Sequence, residues 1–275
     1  MPDNLYLSAV SRQLHDLLST TPRFSNDAVS HRDAYPSLWA DFIYMVPPAL
    51  AYNGTFTADI DMVKESVRQC ELYREVLGTR KGYWQHIAND TGVRNVKSDD
   101  GAWCTSNAWA AAGMARVLAT LRKSQYVSET EEEQNALLQM TKGILSGAME
   151  ADTDTTGLLR NYLDDETWFA EVAGTALMAA TVFRMAVLEP GLFGKRYTDW
   201  AITKLEAVSR HIDEETGIVA PVVNSLNEGQ RTPLEGVNPE GQAFVVLLYA
   251  AWRDWSIVTG AAPKLAVPSE SLCIQ

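Results

Sequence analysis

Apolar positions recur at helical spacing through most of the chain, in segments that differ mainly in how much polarity lies between them. In residues 3 to 20, Leu5, Leu7, Val10, Leu14, Leu17 and Leu18 predict an amphipathic helix. The stretch HRDAYPSLWADFIYMVPP at 31 to 48 predicts a second helix opening at Pro36 or Ser37, because proline at the first helical position is preshaped and loses no hydrogen bond there. Pro47-Pro48 predicts a kink or an early end, and Gly54 a left-handed stop. Thr57 is the expected cap of the next helix, whose stripe runs Ile60, Val63, Val67, Cys70, Leu72 and Val76 to a stop at Gly78. Residues 130 to 149 and 197 to 212 are amphipathic, whereas AWCTSNAWAAAGMARVLATL from Ala102, residues 169 to 187 and residues 241 to 258 are apolar and weakly charged. Minor strands are expected near 217 to 223. The loop at 79 to 101 is long enough to line a site or to move.

About eight helices result, and Ala-rich ones alternate with charged ones. Concentric rings require this alternation, since inner helices are covered all round while outer ones keep a wet face. The expectation is an all-α toroid of helical hairpins forming one domain over residues 1–275.

At 275 residues and 46% apolar, the chain can bury one large core. A net charge of −12 excludes a general nucleic-acid binder, and an anionic substrate would need a local positive pocket. No stretch approaches the length of a membrane span, and the N-terminus lacks the apolar core of a signal peptide, which suggests a cytoplasmic protein if Met1 is the native start. Cys70, Cys104 and Cys273 allow at most one disulfide and suggest no thiolate metal site. Asn53 and Asn89 lie in glycosylation triplets, which decide little.

The chemistry concentrates at 31 to 48. Asp41 is the only acid in an apolar turn formed by Leu38, Trp39, Phe42, Ile43 and Met45. Desolvation there is expected to raise its pKa and make it a proton donor near neutral pH; the alternative is that it caps a helix or pairs with Arg32.

The spacing HR..YP..W.D..YM.PP resembles that of the unsaturated rhamnogalacturonyl hydrolases, glycoside hydrolase family 105, and most closely a fungal-type branch. GYWQH at 82 to 86, AWCTSNAWAAAG at 102 to 113, EVAGTALMAA at 171 to 180 and PEGQAFVVLLYAAWRDW at 239 to 255 follow in family order. The resemblance implies an (α/α)6 barrel of about twelve helices, so this chain looks about two hairpins short at its N-terminus. The unclosed edge is expected to be apolar and covered by a second copy. The implied reaction is acid-catalysed hydration of the vinyl ether in a 4,5-unsaturated uronyl saccharide, without metal or other cofactor. Asp41 is the implied donor, and His31 and Arg32 match the family's His-Lys pair.

Trp84, Trp103 and Trp109 are candidate sugar platforms, with core packing the alternative for Trp109, and Trp39 and Tyr44 are further substrate-binding candidates. His86 and Asn107 are candidates for holding water or a sugar hydroxyl, and each has a structural alternative. Glu171, in a helix first turn, is not assigned a catalytic role. Thr105 stands where related bacterial chains carry an arginine, so a clamp for the uronate carboxylate is missing at that position. Two other functions remain open. One is acid-assisted cyclisation or isomerisation of an apolar metabolite, and the other is a non-catalytic sugar-binding module.

Overall fold

The computed structural model describes residues 3–261. In order, the elements are α1 (Asp3–Ser19), β1 (Ser37–Trp39), α2 (Phe42–Met45), α3 (Pro47–Thr57), α4 (Ile60–Leu77), β2 (Ile87–Asn89), α5 (Cys104–Lys123), α6 (Glu131–Glu150), β3 (Leu159–Arg160), β4 (Ala170–Glu171), α7 (Val172–Leu188), α8 (Lys195–Ser209) and α9 (Pro239–Thr259). The side chains of Leu5 and Leu7, and all of Cys273, lie outside the described residues. Cys70 and Cys104 are free and buried.

Composition sorts the helices into two layers. Along α7, VAGTALMAATVFRMAVL carries Arg184 as its only charge, and fourteen of its seventeen residues are buried. A helix without a polar face is stable only when covered all round. Accordingly α7 packs on α5, α8 and α9, while α5 packs on α3, α6 and α7. The inner row therefore runs α3, α5, α7, α9, backed by α4, α6 and α8. Each outer helix buries one stripe, such as Val63, Val67, Cys70, Tyr73 and Leu77 of α4. This is the all-α toroid of hairpins. Among the described residues α3 and α9 stand at the two ends of this row, and they expose Phe56 (70%) on α3 and Val246 (64%), Ile257 (73%) and Val258 (65%) on α9.

Several local expectations change. Residues 37 to 39 form a strand, not the first turn of a helix. Ser30 Oγ accepts the backbone N–H groups of Arg32 and Ser37, which ties off a loop, and Ser37–Trp39 then pairs antiparallel with Ile87–Asn89. The proline pair opens α3 at its first positions, after a break at Val46. Gly54 lies inside α3: a Cβ there would meet Asp59 O at 2.8 Å, so its role is close packing, and the left-handed stop falls to Ala58. Asp59, not Thr57, caps α4, its carboxylate accepting from Met62 N–H at 3.0 Å. Near 217 to 223 only an isolated bridge forms, between Ile212 and Val219.

Candidate active site

The site is built at the end of the inner row where α3, α5, α7 and α9 begin, so loops rather than helix interiors deliver most of its groups. Ala40 N–H donates to His86 O at 3.0 Å and prolongs the β1–β2 ladder by one residue, which sets Asp41 beside His86. Gly113 brings α2 against α5, since a Cβ there would lie 2.2 Å from Ile43 O. Across this contact Ser106 Oγ donates to Asp41 Oδ2 at 2.7 Å. The loop around β3 is pinned to the start of α5 by Cys104 N–H to Asn161 O (2.8 Å) and Leu163 N–H to Ala102 O (2.9 Å), which carries Tyr162 into the site.

The result is a chain of polar groups. His86, wholly buried, places Nε2 3.4 Å from Asp41 Oδ2 and Nδ1 2.9 Å from Asp99 Oδ2. Tyr162 Oη donates to the same Asp99 oxygen. Burial opposes charge on His86, but the two flanking carboxylates prevail and raise its pKa. Burial likewise pushes Asp41 upward, yet His86 and the Ser106 hydroxyl outweigh it and hold the carboxyl below the usual range. Asp99 follows the same logic, with His86 and Tyr162 overcoming burial. The expectation of a raised Asp41 pKa is thus corrected: a buried acid with a cationic partner stays ionised. His31, desolvated and 5.0 Å from the Trp39 ring in a near-parallel stack, has a lowered pKa and is neutral at neutral pH.

Two aromatic clusters flank Asp41. Around Trp39, the Arg32 guanidinium lies 4.3 Å and Lys97 Nζ 5.4 Å from the ring centroid, and His86 packs on its edge. Lys97 is paired with buried Glu228 at 2.5 Å, whereas Arg32 has no acid partner among the described residues. The other cluster joins Tyr44, Trp109 and Phe244 at centroid distances of 4.4 and 4.7 Å, with Trp109 Nε1 donating to Glu240 Oε1 at 3.0 Å.

Three proposed platforms or ligands sit behind this surface. Trp84 is 1% exposed and offers a sugar nothing. Asn107 is wholly buried, and its amide clips Trp84 N–H, Trp84 O and Trp103 O at 2.7, 2.9 and 2.9 Å. Both are corrected to structural roles, because an amide saturated by backbone has no group left for a ligand. Trp103 is 3% exposed and backs His86, its indole N–H held by Asn161 at 2.8 Å. Asp99, Tyr162, Ser106, Lys97, Glu228 and Glu240 were not foreseen as site residues. His86, Asp99 and Glu228 offer ligand atoms within 4.8 Å of one another and are the groups that could hold a cation, but Lys97 and Tyr162 already engage both acids.

The fold, an inner row of apolar helices backed by amphipathic ones, is that of the six-hairpin glycosidases. Residues 1–252 match the model of Glycosyl Hydrolase Family 88, and the chain belongs to that family as a glycoside hydrolase-like enzyme. A solved structure from Salmonella enterica serovar Paratyphi A, described as a possible member of the GH105 family, superposes with a TM-score of 0.79 at 20% identity, covering 93% of this chain and 68% of that one. A second possible member of that family, from Klebsiella pneumoniae, gives 0.78 at 20% identity, with coverage of 91% and 66%. The unsaturated glucuronyl hydrolase of Bacillus sp. GL1 gives 0.65 at 16%, with coverage of 91% and 67%. The chain thus spans about two thirds of the length of these proteins. A comparison with curated proteins finds no match.

Proposed function

We propose that the protein hydrolyses 4,5-unsaturated uronyl saccharides derived from rhamnogalacturonan, with Asp41 as the catalytic residue. The observation that carries this reading is the pair of Asp41, 13% exposed, with buried His86 at 3.4 Å. The flanking carboxylates raise the His86 pKa, which makes its imidazole the proton source of this reading, and a bound sugar that displaces water from Asp41 favours transfer of that proton to the carboxylate. Asp41 then gives the proton to C4 of the vinyl ether and accepts one from the water that adds at C5. The resulting C5 hemiketal opens to a ketone. The ring oxygen, now a hydroxyl on C1, leaves a hemiacetal there that collapses to the aldehyde and releases the remaining saccharide as an alcohol. Asp99 and Tyr162 hold the imidazole from behind and fix which nitrogen faces Asp41.

Arg32 is the proposed seat of the uronate carboxylate. Its guanidinium over Trp39 supplies the charge that Thr105, wholly buried, cannot. The test is incubation with lyase-generated unsaturated disaccharides while the absorbance of the conjugated double bond is followed. Loss of that absorbance with stoichiometric release of the second sugar is expected. Folded protein that leaves the signal unchanged on the rhamnogalacturonan-derived disaccharide overturns the rhamnogalacturonan assignment, and one that also leaves glycosaminoglycan-derived disaccharides unchanged overturns the uronyl reading.

A further inference from the structure

A groove of about 500 Å³, lined by residues of α2, α5, α7 and α9, plays no part in the hydration chemistry. It begins beyond the active site. Ser106 binds Asp41 near the start of α5 and Trp109 follows three residues later, whereas the groove runs along the same helix from Ala112 to Lys123, a length of about 16 Å. Tyr44, packed on Trp109 at 4.4 Å, stands at its near end. At the far end Arg122 donates to Leu188 O at 2.9 Å, so α5 and α7 finish side by side. Lys123 and Arg184 line the groove there.

The walls are apolar and the rim is positive. Ala112, Ala115, Ala119, Leu177, Ala180 and Leu247 supply most of the lining, and the Thr181 hydroxyl is already donated to Leu177 O at 2.8 Å. Every charged side chain that lines the groove is a cation, namely Arg116, Lys123 and Arg184, in a chain whose net charge is −12. Arg184 pairs with Asp254 at 2.6 Å, and Arg116 lies 4.6 Å from the Tyr44 ring centroid while donating to the Tyr52 hydroxyl at 3.1 Å. Lys123 pairs with no carboxylate among the described residues. A cationic rim on an acidic protein gathers anions locally against the field of the whole molecule.

We propose that this groove binds a medium-chain fatty carboxylate, with its alkyl chain along the alanines of α5 and α7 and its head group at Lys123 and Arg184. A concave, apolar volume of this size with a few polar groups at one end is that of a small-ligand site. The alkyl chain supplies affinity by leaving water, and the rim selects the sign of the head group. A saccharide is a poor occupant, because alanine and leucine walls leave its hydroxyls unpaired.

The test is calorimetric titration with decanoate, decyltrimethylammonium and butyrate, each below the concentration at which it forms micelles. Decanoate is expected to bind one site per chain, at least about tenfold more tightly than decyltrimethylammonium, and butyrate to give no saturable heat. Lys123→Glu, at an exposed position, is expected to weaken decanoate by about tenfold without weakening the ammonium ligand. Ala119→Phe fills the groove from its half-buried wall and is expected to cost decanoate at least about tenfold. Should phenylalanine disturb the fold, seen as a changed near-ultraviolet circular dichroism spectrum, Ala119→Leu is expected to cost about threefold. Equal affinity for the two head groups or the two chain lengths, binding that neither position alters, or no binding of decanoate overturns the proposal. So does a chain that sediments as a dimer and takes up decanoate only on dissociating, since a second copy then fills the groove.

Discussion

Asp41 precedes α2 and Glu171 precedes α7, and the two carboxyls titrate in opposite directions. Asp41, beside His86 and Ser106, is held below the usual carboxylate range. Glu171 caps α7 by accepting from Ala173 and Gly174 N–H, each at 2.6 Å, and burial still pushes it up to about 8. Burial therefore does not by itself make a proton donor. A cationic partner decides the sign, and backbone N–H groups, which favour the charged form, only moderate the desolvation. The acid with the raised pKa is the one buried inside the fold with a capping task, and in the chemistry proposed above Asp41 draws its proton from the imidazole.

The sharpest way to break this contrast is Asp41→Asn. The amide still accepts from Ser106, so the fold is expected to persist while kcat falls by about a thousandfold or more. Steady-state kinetics on the unsaturated disaccharide, together with an unchanged near-ultraviolet circular dichroism spectrum, check this; a loss under tenfold removes Asp41 from the chemistry.

His86→Ala removes the partner and leaves Asp41 and Asp99 facing a buried gap. Deleting one member of a buried charge cluster costs roughly 3–5 kcal/mol. The sign with pH follows from the shifts. The two lowered acids contribute stability above their unfolded value near 3.8 that is lost as pH falls through their folded pKa values, and the raised histidine contributes below 6.5 and loses it as pH rises through its own. Urea melts of both proteins should therefore differ most between about pH 4 and 6.5 and converge toward both extremes. A constant difference across pH means that the imidazole acts as packing alone.

The architecture was more legible than the site. Inner helices announce themselves because an Ala-rich run such as VAGTALMAAT has no polar face to wet, and 3.6-residue periodicity survives in sequence. Asp41 and His86 were legible as motif members. Their relation was not, because it depends on the β1–β2 ladder, and SLW carries too few residues to show a strand's alternation. Asp99 and Tyr162 arrive on loops with no period, brought together by a bridge at Ile87 and Asp99 and another at Trp103 and Tyr162. Glu240 was masked because an acid in a helix first turn is favoured on electrostatic grounds anyway. Trp84 and Asn107 mislead for the opposite reason: aromatic and amide side chains suit sugars, but the same groups saturate a buried loop.

From the other side, Glu171→Gln tests whether burial without a cation behaves as argued. With a folded pKa of about 8 against 4.5 unfolded, the native state keeps its proton while the unfolded state loses it, so the wild type loses stability as pH rises through that window. The slope is at most about 1.4 kcal/mol per pH unit, and less to the extent that the two N–H donors hold the anion. The glutamine variant should lack this decline, so its stability relative to wild type should improve steadily from about pH 5 to about 8 in urea melts. Parallel curves would mean that Glu171 is ionised throughout, and that the helix N-terminus alone compensates a buried carboxylate.

The smallest effect isolates the remaining contribution to the low Asp41 pKa. Ser106→Ala deletes one hydroxyl donor and leaves His86 in place. A hydrogen bond to a charged group contributes about 1.5–3 kcal/mol before compensation, and water entering at a 13% exposed carboxylate replaces part of it, so the expected rise in the Asp41 pKa is about one unit or less. In the pH dependence of kcat/KM this moves the acidic limb upward by that amount while the alkaline limb, set by His86, stays in place. A shift of both limbs together would show that Ser106 positions the pair as a unit, and a shift of neither would mean that the imidazole alone sets the charge of Asp41.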